Sequence, residues 1–257
     1  MSKYQGAFVW HDLMTTDMAA AKAFYSEVIG LTCAPTEMSG PDYEIFRAGE
    51  RMIAGLMPIT DDAKKMGAAP MWTGYICVDD VDAATLKVKD LGGVICRAPA
   101  DIPHVGRFSV VADPQGAVFY LFKMASPMPD EAPPTDAPGV LGWNELYAAD
   151  VEAVFPFYAE MFGWTRADAI DMGPAGKYQM FKHGEKVIGG MMNRPAEFPR
   201  AMWNFYFNVP DIDKAAASVT AHGGKIINGP MPVPGDGWIF QGLDPQGALF
   251  AAVGKQV

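Results

Sequence analysis

Residues 10–13 read Trp-His-Asp-Leu, and residues 143–146 read Trp-Asn-Glu-Leu. Further matches follow this pair in the same order, and the offset between the two copies stays nearly constant along the chain. The other matched segments are Phe24-Tyr25 and Phe157-Tyr158, Trp72 and Trp203, Gly92-Gly93 and Gly223-Gly224, and residues 113–117 and 244–248, which both read Asp-Pro-Gln-Gly-Ala. So many ordered matches indicate an internal duplication, which predicts two copies of one domain.

The repeats place a first domain at residues 1–125 and a second domain at residues 140–257. The segment between them, residues 126–139, is rich in proline and acidic residues and contains no aromatic residue. That composition predicts a semi-rigid surface linker. A polyproline-II ligand for a partner protein is the alternative.

The overall composition excludes several classes of protein. Of the 257 residues, 50% are hydrophobic and 19% are charged, which permits a sizeable core. The net charge of −10 disfavours nucleic-acid binding and anionic membrane surfaces, since both need clustered Lys and Arg. Cys33, Cys77 and Cys96 form no CxxC motif and are predicted to be buried free thiols. With no apolar signal segment, the sequence indicates a cytoplasmic protein.

Each copy divides again into two modules with the same order of elements. In the first module, Phe8–Thr15 alternates as a strand, and Asp17 is predicted to cap a helix that ends at Gly30. Three short strands follow, and the order restarts at Met71 with Asp80 as the next cap. The Asp-Pro-Gln-Gly-Ala segments are predicted to be turns. One helix per module must bury its apolar face against a sheet, which indicates an α+β fold of βαβββ modules.

This order of elements resembles the vicinal oxygen chelate superfamily, also known as the glyoxalase/bleomycin resistance protein/dioxygenase fold. The resemblance also rests on Asp, six residues and Phe-Tyr along the helix, and on Asp-Pro-x-Gly-Ala before the last strand. The duplicated Trp-x-(Asp/Glu)-Leu and the Phe-Gly-Trp at residues 162–164 are most similar to a two-domain actinobacterial antigen/hydroxylase-like branch. The resemblance implies that the two modules of each domain form a half-open barrel around a small-molecule pocket.

The resemblance also implies where a metal would be bound. In metal-dependent members a divalent ion is held by His, Gln or Glu on the first and last strands of the modules. Those positions are found seven residues before each helix-capping Asp and four residues after each Asp-Pro-x-Gly. They hold Trp10, Thr73 and Tyr120 in the first domain, and Trp143, Asn204 and Ala251 in the second. Indole, hydroxyl and amide groups are poor ligands for such an ion, so the sequence predicts no metal cofactor.

The opening strand still contains groups that could carry out chemistry. His11 alternates with Trp10 and Asp12, so it is expected on the opposite face of the strand. His11 is interpreted as a structural or interface histidine, with a catalytic base or a metal ligand beside Asp12 as alternatives. Asp12 and Glu145 are expected on the pocket face as catalytic residues, together with Tyr120. Hydrogen bonding across a domain interface is the alternative for the two acids.

Further ligand-binding candidates are aromatic or basic. Aromatic rings with one arginine suit a small planar or anionic ligand, whereas core packing is the alternative for each ring taken singly. Besides the residues at the implied ligand positions, the candidates are Tyr75, Arg107, Tyr206 and Trp238.

Three functions agree with these residues. The first is a metal-independent protein that binds a small hydrophobic or aromatic metabolite, or transforms it as a lyase, isomerase or hydroxylase-like enzyme. The second is a metal-dependent lyase or dioxygenase of the glyoxalase type with an unorthodox ligand set. The third is a non-catalytic binding or scaffold protein. In each case the duplicated domains predict a monomer with an internal pseudo-dimer, or a homodimer.

Overall fold

Two mixed β-sheets of eight strands each, with α-helices packed on them, make up the protein. A computed structural model describes residues 2–36, 42–65, 67–126, 135–196 and 198–257. The strand, helix, strand, strand, strand order returns four times along the chain. The predicted α+β fold of two tandem domains, each made of two βαβββ modules, is therefore confirmed.

The first sheet has the order β2-β3-β4-β1-β5-β8-β7-β6. Within it β1 runs parallel to β4 and β5 runs parallel to β8, whereas the hairpin partners are antiparallel. Its strands are β1 (Phe8–Thr15), β2 (Thr32–Pro35), β3 (Glu44–Ala48), β4 (Arg51–Pro58), β5 (Met71–Cys77), β6 (Val94–Ile102), β7 (Gly106–Ala112) and β8 (Val118–Met124).

The second sheet repeats this arrangement in the order β10-β11-β12-β9-β13-β16-β15-β14. Again the first strand of each module is parallel to the last, as in β9 with β12 and β13 with β16. The strands are β9 (Leu141–Ala148), β10 (Thr165–Asp171), β11 (Lys177–His183), β12 (Lys186–Asn193), β13 (Met202–Val209), β14 (Lys225–Pro232), β15 (Trp238–Leu243) and β16 (Leu249–Gly254).

Each module helix begins at the aspartate that the sequence predicts as its cap. Asp17 and Asp150, for example, accept hydrogen bonds from the backbone N–H groups of Ala20 and Ala153. A short helix that was not predicted, α2, lies between the first two modules. The helices are α1 (Met18–Ile29), α2 (Asp61–Lys65), α3 (Val81–Asp90), α4 (Val151–Phe162) and α5 (Ile212–Ala221).

The chain forms two compact units, and each unit combines segments from both sequence repeats. Unit 1 contains residues 1–10, 73–132 and 144–203, and within it α3 packs on α4. Unit 2 contains residues 11–72, 133–143 and 204–257, and within it α1 packs on α5. The core of each unit therefore includes one helix from each half of the chain.

A buried hydrogen-bond network joins two modules inside unit 1. Asp113 begins the predicted Asp-Pro-Gln-Gly-Ala turn, and its Oδ1 accepts the backbone N–H groups of Gln115 and Ala117. Its Oδ2 accepts the hydroxyl of Tyr158 on α4, at 2.9 Å. Burial raises the pKa of the Asp113 carboxyl, and burial also raises the pKa of Tyr158 well above its ordinary value.

Unit 2 contains the equivalent network with the other helix and the other turn. Tyr25 on α1 donates its hydroxyl to Asp244 Oδ2 at 3.2 Å. The indole N–H of Trp72 donates to Tyr25 Oη at 2.8 Å. The Phe-Tyr and Asp-Pro-x-Gly motifs of the sequence are thus two ends of one buried contact. Burying these polar groups is tolerated because each has a partner.

The cysteines depart in part from the prediction that all three are buried. Cys77 is buried and Cys33 is half-buried, but Cys96 is exposed. Cys96 lies on β6, which forms an edge of the first sheet. An edge strand is covered on fewer sides than an inner one, and an apolar run in the sequence does not reveal that difference.

The predicted linker at residues 126–139 falls mainly outside the described residues. Ser126 and residues 135–139 are described, and the semi-rigid character of the linker stays a prediction. In the described part of the chain, no helix is both long and apolar enough to cross a membrane.

Candidate functional site

A carboxylate and a phenol form a buried pair in the first module. The hydroxyl of Tyr43 donates to Asp12 Oδ1 at 2.7 Å, and Asp12 is only 1% exposed. Asp12 lies opposite Gly55 of β4 in the parallel register. A Cβ atom on Gly55 would lie 1.9 Å from Tyr43 Oη and 2.2 Å from Asp12 Oδ1. The pair therefore lies directly over the backbone of β4 and requires glycine at that position.

The third module repeats the same arrangement of residue types. Glu145 on β9 is buried and lies opposite Gly190 of β12. A Cβ atom on Gly190 would lie 2.1 Å from the ring of Tyr178 and 2.5 Å from its hydroxyl. Glycine is thus again required where a tyrosine crosses the strand next to the carboxylate. The predicted acids at positions 12 and 145 each gain a neighbouring tyrosine on the same side of the sheet.

The tyrosines of these pairs were missed by the sequence reasoning, although a signal was present. Tyr43 and Tyr178 are separated by the same number of positions as Gly55 and Gly190. That offset is nearly the same as the one that separates the two opening stretches. A duplicated tyrosine before or on the third strand of a module, with a duplicated glycine on the fourth, could have been recognised as one site.

An aromatic cluster covers one face of the second module. Tyr75 stacks on Tyr120 with ring centroids 4.3 Å apart, and Phe108 stacks on the other side of Tyr120 at 5.9 Å. Phe122 completes the cluster, and Trp10 packs against it. The predicted candidates Trp10, Tyr75 and Tyr120 thus lie together. Because the three rings also fill space, their role in binding a ligand stays a prediction.

Thr73 lies on the same strand as Tyr75, two residues earlier, and is fully buried. Its hydroxyl has no hydrogen-bond partner within the described ranges. A buried hydroxyl without a partner is costly, so such a group indicates a place where a ligand or a water molecule binds.

Arg107 is not part of this cluster, and its role in binding a ligand stays a prediction. Its guanidinium pairs with Asp82 on α3 at 2.7 Å and with Asp101 at 2.9 Å. The strand β7 begins at Gly106, so alternation places Arg107 and Phe108 on opposite faces. The cation beside the aromatic cluster is instead Arg97, whose guanidinium carbon lies 4.8 Å from the centroid of the Phe108 ring.

The fourth module carries a row of neutral polar side chains. The amide of Asn228 donates to Gln241 Oε1 at 2.8 Å, and Gln241 Nε2 donates to the hydroxyl of Tyr206 at 2.7 Å. Asn204 lies two residues before Tyr206 on β13 and is fully buried. The predicted candidates Asn204 and Tyr206 thus share a face with Gln241 and Asn228, which the sequence reasoning did not select.

The remaining sequence candidates lie as follows. The ring of His11 packs edge-on against Phe205, with centroids 4.6 Å apart. Phe205 is a buried residue of β13 that alternates with Asn204, so His11 packs on the face opposite to the polar row. Trp143 and Trp238 are both half-buried, and Trp238 begins β15.

The implied metal positions can now be tested against the structure. The first set, Trp10, Thr73 and Tyr120, and the second set, Trp143, Asn204 and Ala251, offer no carboxylate, imidazole or thiolate. Across the residues that the structure describes, no group of three or more His, Cys, Asp or Glu side chains is arranged to hold a metal ion. The side chains at the implied positions therefore do not fit a divalent ion.

The comparison with family models decides the assignment. The model of the Glyoxalase/Bleomycin resistance protein/Dioxygenase superfamily matches residues 7–121 and again residues 140–252. The chain belongs to this superfamily. The two matches coincide with the two sequence repeats, so the tandem glyoxalase-like domains are shown by the sequence families as well as by the fold.

Several proteins are similar to this glyoxalase-superfamily chain over nearly its full length. "Putative glyoxylase CFP32" of Mycobacterium bovis is 34% identical over 251 residues, covering 97% of this chain and 95% of the relative. "Anthracycline biosynthesis protein DnrV" of Streptomyces peucetius is 30% identical over 261 residues, covering 96% and 93%. The similarity to both relatives therefore extends over both domains of this chain, and not over one domain alone.

Two solved structures have the same fold at low sequence identity. A Mn(II)-bound glyoxalase from Novosphingobium aromaticivorans superimposes with a TM-score of 0.66 at 16% identity, covering 100% of this chain and 84% of the other. The 2,3-dioxygenase LapB from Pseudomonas sp. KL28 gives a TM-score of 0.65 at 15% identity, covering 99% and 94%. At these identities the similarity establishes the fold alone.

Proposed function

We propose that this protein binds a small hydrophobic or aromatic metabolite without a metal ion, and that a carboxylate–tyrosine pair transforms it by acid–base chemistry. The observation that carries the proposal is the buried hydrogen bond between Tyr43 and Asp12, held over Gly55. The same residue types return as Glu145, Tyr178 and Gly190. A duplicated glycine that only makes room for a polar pair favours a functional role for that pair.

The chemistry open to this pair is a proton transfer. A carboxylate can accept a proton from a carbon next to a ligand carbonyl, so that the C–H bond breaks and an O–H bond forms on Asp12. The electron pair then moves into the carbonyl and gives an enolate. Where a C=C bond follows that carbon, the enolate is conjugated with it, and return of the proton from Asp12 to the far carbon of the C=C bond gives an isomer without consuming an oxidant. The hydroxyl of Tyr43 holds Asp12 in position throughout.

The aromatic and neutral polar surfaces support the class of ligand. The stacked rings of Tyr75, Phe108 and Tyr120 offer flat apolar surface, and the polar row of the fourth module offers neutral hydrogen bonds. One relative is named for anthracycline biosynthesis and another as a glyoxylase. Both names agree with a small organic substrate, and the first agrees with a polycyclic aromatic one.

The metal-free part of the proposal rests on the side chains at the implied ligand positions. Indole, hydroxyl, phenol and amide groups stand there, together with the methyl group of Ala251. We further propose that the protein acts in the cytoplasm, as a monomer or a homodimer, and binds no nucleic acid, in keeping with its net charge of −10.

The proposal is tested by metal analysis and by substitution of the acid. Protein purified without chelator is expected to contain far less than one divalent ion per chain, and EDTA is expected to leave ligand binding unchanged. In a screen of aromatic ketones followed by calorimetry and product analysis, Asp12→Asn should abolish turnover while binding remains. Asp61→Asn, on the exposed helix α2, is the control. A stoichiometric ion held by side chains of the sheets would overturn the metal-free proposal.

A further inference from the structure

The polar row of the fourth module has a defined direction of hydrogen bonding. The Asn228 amide donates to the Gln241 carbonyl oxygen, which fixes the orientation of the Gln241 amide. The NH₂ group of Gln241 then donates to Tyr206 Oη. Since Oη is the acceptor in that bond, the hydroxyl hydrogen of Tyr206 points away from Gln241. Every group in the row is neutral, so the row can orient donors without placing a charge on the face.

The orientation of Asn204 is fixed in the same way. Its Oδ1 accepts the backbone N–H of Phe205 at 3.1 Å, and exchanging the oxygen and nitrogen would bring two donors together. Its Nδ2 is therefore a true donor. In the described portion of the chain this nitrogen is fully buried and has no hydrogen-bond partner. A buried amide donor of this kind needs an acceptor supplied from outside the chain.

The equivalent positions of the second module are filled differently. Thr73 stands for Asn204 and Val110 for Gln241, and both pairs have the same offset in the sequence. Tyr120, which stacks on Tyr75, stands for Ala251. On the fourth module the methyl group of Ala251 lies opposite Tyr206 in the parallel register. A large ring is thus replaced by a methyl group beside the polar row, and of these two modules the fourth is the one with oriented amide donors.

We infer that Asn204 and the row formed by Asn228, Gln241 and Tyr206 bind an uncharged oxygen acceptor of the ligand, a ketone or quinone carbonyl on a planar aromatic molecule. The Asn204 N–H groups supply the donors, and the row holds the Tyr206 hydroxyl in position. The inference rests on the proposed function and adds a specificity. The second domain selects for a carbonyl oxygen, whereas the first domain presents mainly aromatic surface.

A matched pair of soluble probes tests this subsite in the full-length protein. Anthraquinone-2-sulfonate and anthracene-2-sulfonate share the ring frame and the sulfonate and differ in the two carbonyl oxygens. By isothermal titration calorimetry, the unsubstituted protein should bind the quinone about five- to tenfold more tightly, as expected for one hydrogen bond to a neutral group. Asn204→Val should remove this preference. Asn204→Thr, which has the shape of valine but carries a hydroxyl, should keep part of it.

Controls separate this inference from the proposed function. Asp61→Asn, on the exposed helix α2, should leave the preference unchanged. Gln241→Met removes the amide that donates to the Tyr206 hydroxyl and should reduce the preference two- to fivefold. This variant provides a second test if Asn204→Val does not fold. Equal binding of both probes, or an unchanged preference in Asn204→Val, would overturn the subsite but leave aromatic binding intact. Binding of neither probe would overturn both proposals.

Discussion

Replacing Gly55 by alanine tests the geometry of the Asp12–Tyr43 pair directly. The new Cβ atom would lie 1.9 Å from Tyr43 Oη and 2.2 Å from Asp12 Oδ1, whereas real Cβ contacts are essentially never shorter than 3.0 Å. The two oxygens must therefore retreat by at least 1.1 Å (3.0 less 1.9) and 0.8 Å (3.0 less 2.2). A hydrogen bond that is 2.7 Å long cannot keep its geometry through such a shift.

The expected cost follows from the interactions that change. Loss of a hydrogen bond to a carboxylate costs about 1.5–3 kcal/mol, and overpacking at a buried site costs about 1–3 kcal/mol. Replacing a strand glycine by alanine returns about 0.5–1 kcal/mol. These effects overlap because relaxation relieves either the bond or the packing, so the net loss of unfolding free energy should be about 2–4 kcal/mol. For a chain of 257 residues this lowers Tm by about 5–15 °C.

Thermal unfolding followed by circular dichroism gives the measurement. Gly237→Ala is the control, since its Cβ would lie 3.2 Å from the nearest atom, a methyl carbon of Val233, and so above the 3.0 Å limit. In a Tyr43→Ala background the cost of Gly55→Ala should shrink by at least about 1 kcal/mol, because the ring that opposes the methyl group is gone. A Tm for Gly55→Ala within about 2 °C of the Gly237→Ala value would refute the reasoning.

Three further predictions concern groups outside the pair. The raised pKa of Asp113 stabilises the folded protein most below the ordinary carboxyl pKa, and this contribution is lost as pH rises through the folded-state pKa. Urea unfolding at a series of pH values should therefore show that the free energy of unfolding of the unsubstituted protein, minus that of Asp113→Asn, falls from pH 4 upward. A difference that rises with pH would contradict this. Arg107→Gln should leave the affinity for anthraquinone-2-sulfonate within twofold. Arg97→Gln should weaken the affinity of the first domain, because, of these two arginines, only Arg97 lies on the aromatic cluster. Calorimetry that shows the reverse order would favour Arg107 as the cation that contacts the ligand. Iodoacetamide at pH 8 should label Cys96 before Cys33, because Cys96 is exposed and burial raises the pKa of Cys33 to about 12. At that pKa about one Cys33 thiol in ten thousand is ionised at pH 8. Equal labelling of the two cysteines, measured by peptide mass spectrometry, would disprove this prediction.

The sequence was sufficient for the fold because its signals are local and repeated. The caps Asp17 and Asp150, and the strand between Phe8 and Thr15, depend on neighbouring residues alone. Counting back from the caps also placed His11 on the face opposite Trp10, in agreement with its packing on Phe205. Because side chains alternate between the two faces of a strand, the face of every residue follows once the face of one residue is known.

The site was less accessible because its contacts join distant strands. Tyr43 meets Asp12 only after β3, β4 and β1 have paired, so no local pattern marks it. Arg107 was taken as a ligand-binding residue of a loop, whereas it lies on β7 and pairs with Asp82 and Asp101. The roles of Asp12, Glu145 and Tyr120 in catalysis remain predictions, and Asp12→Asn tests the first of them.

The contact between Tyr25 and Asp244 spans 219 residues of sequence. A ribosome that adds about 5–20 residues each second needs roughly 10–45 s to traverse that distance. During this interval the turn that begins at Asp244 has not been synthesised, so the Tyr25 hydroxyl on α1 must be hydrated or form another hydrogen bond. The nascent N-terminal half thus cannot complete its interior before the last module has emerged. Two fragments made by dividing the chain near residue 130 should therefore fold only when they are co-expressed. Tandem domains that fold independently show no such dependence.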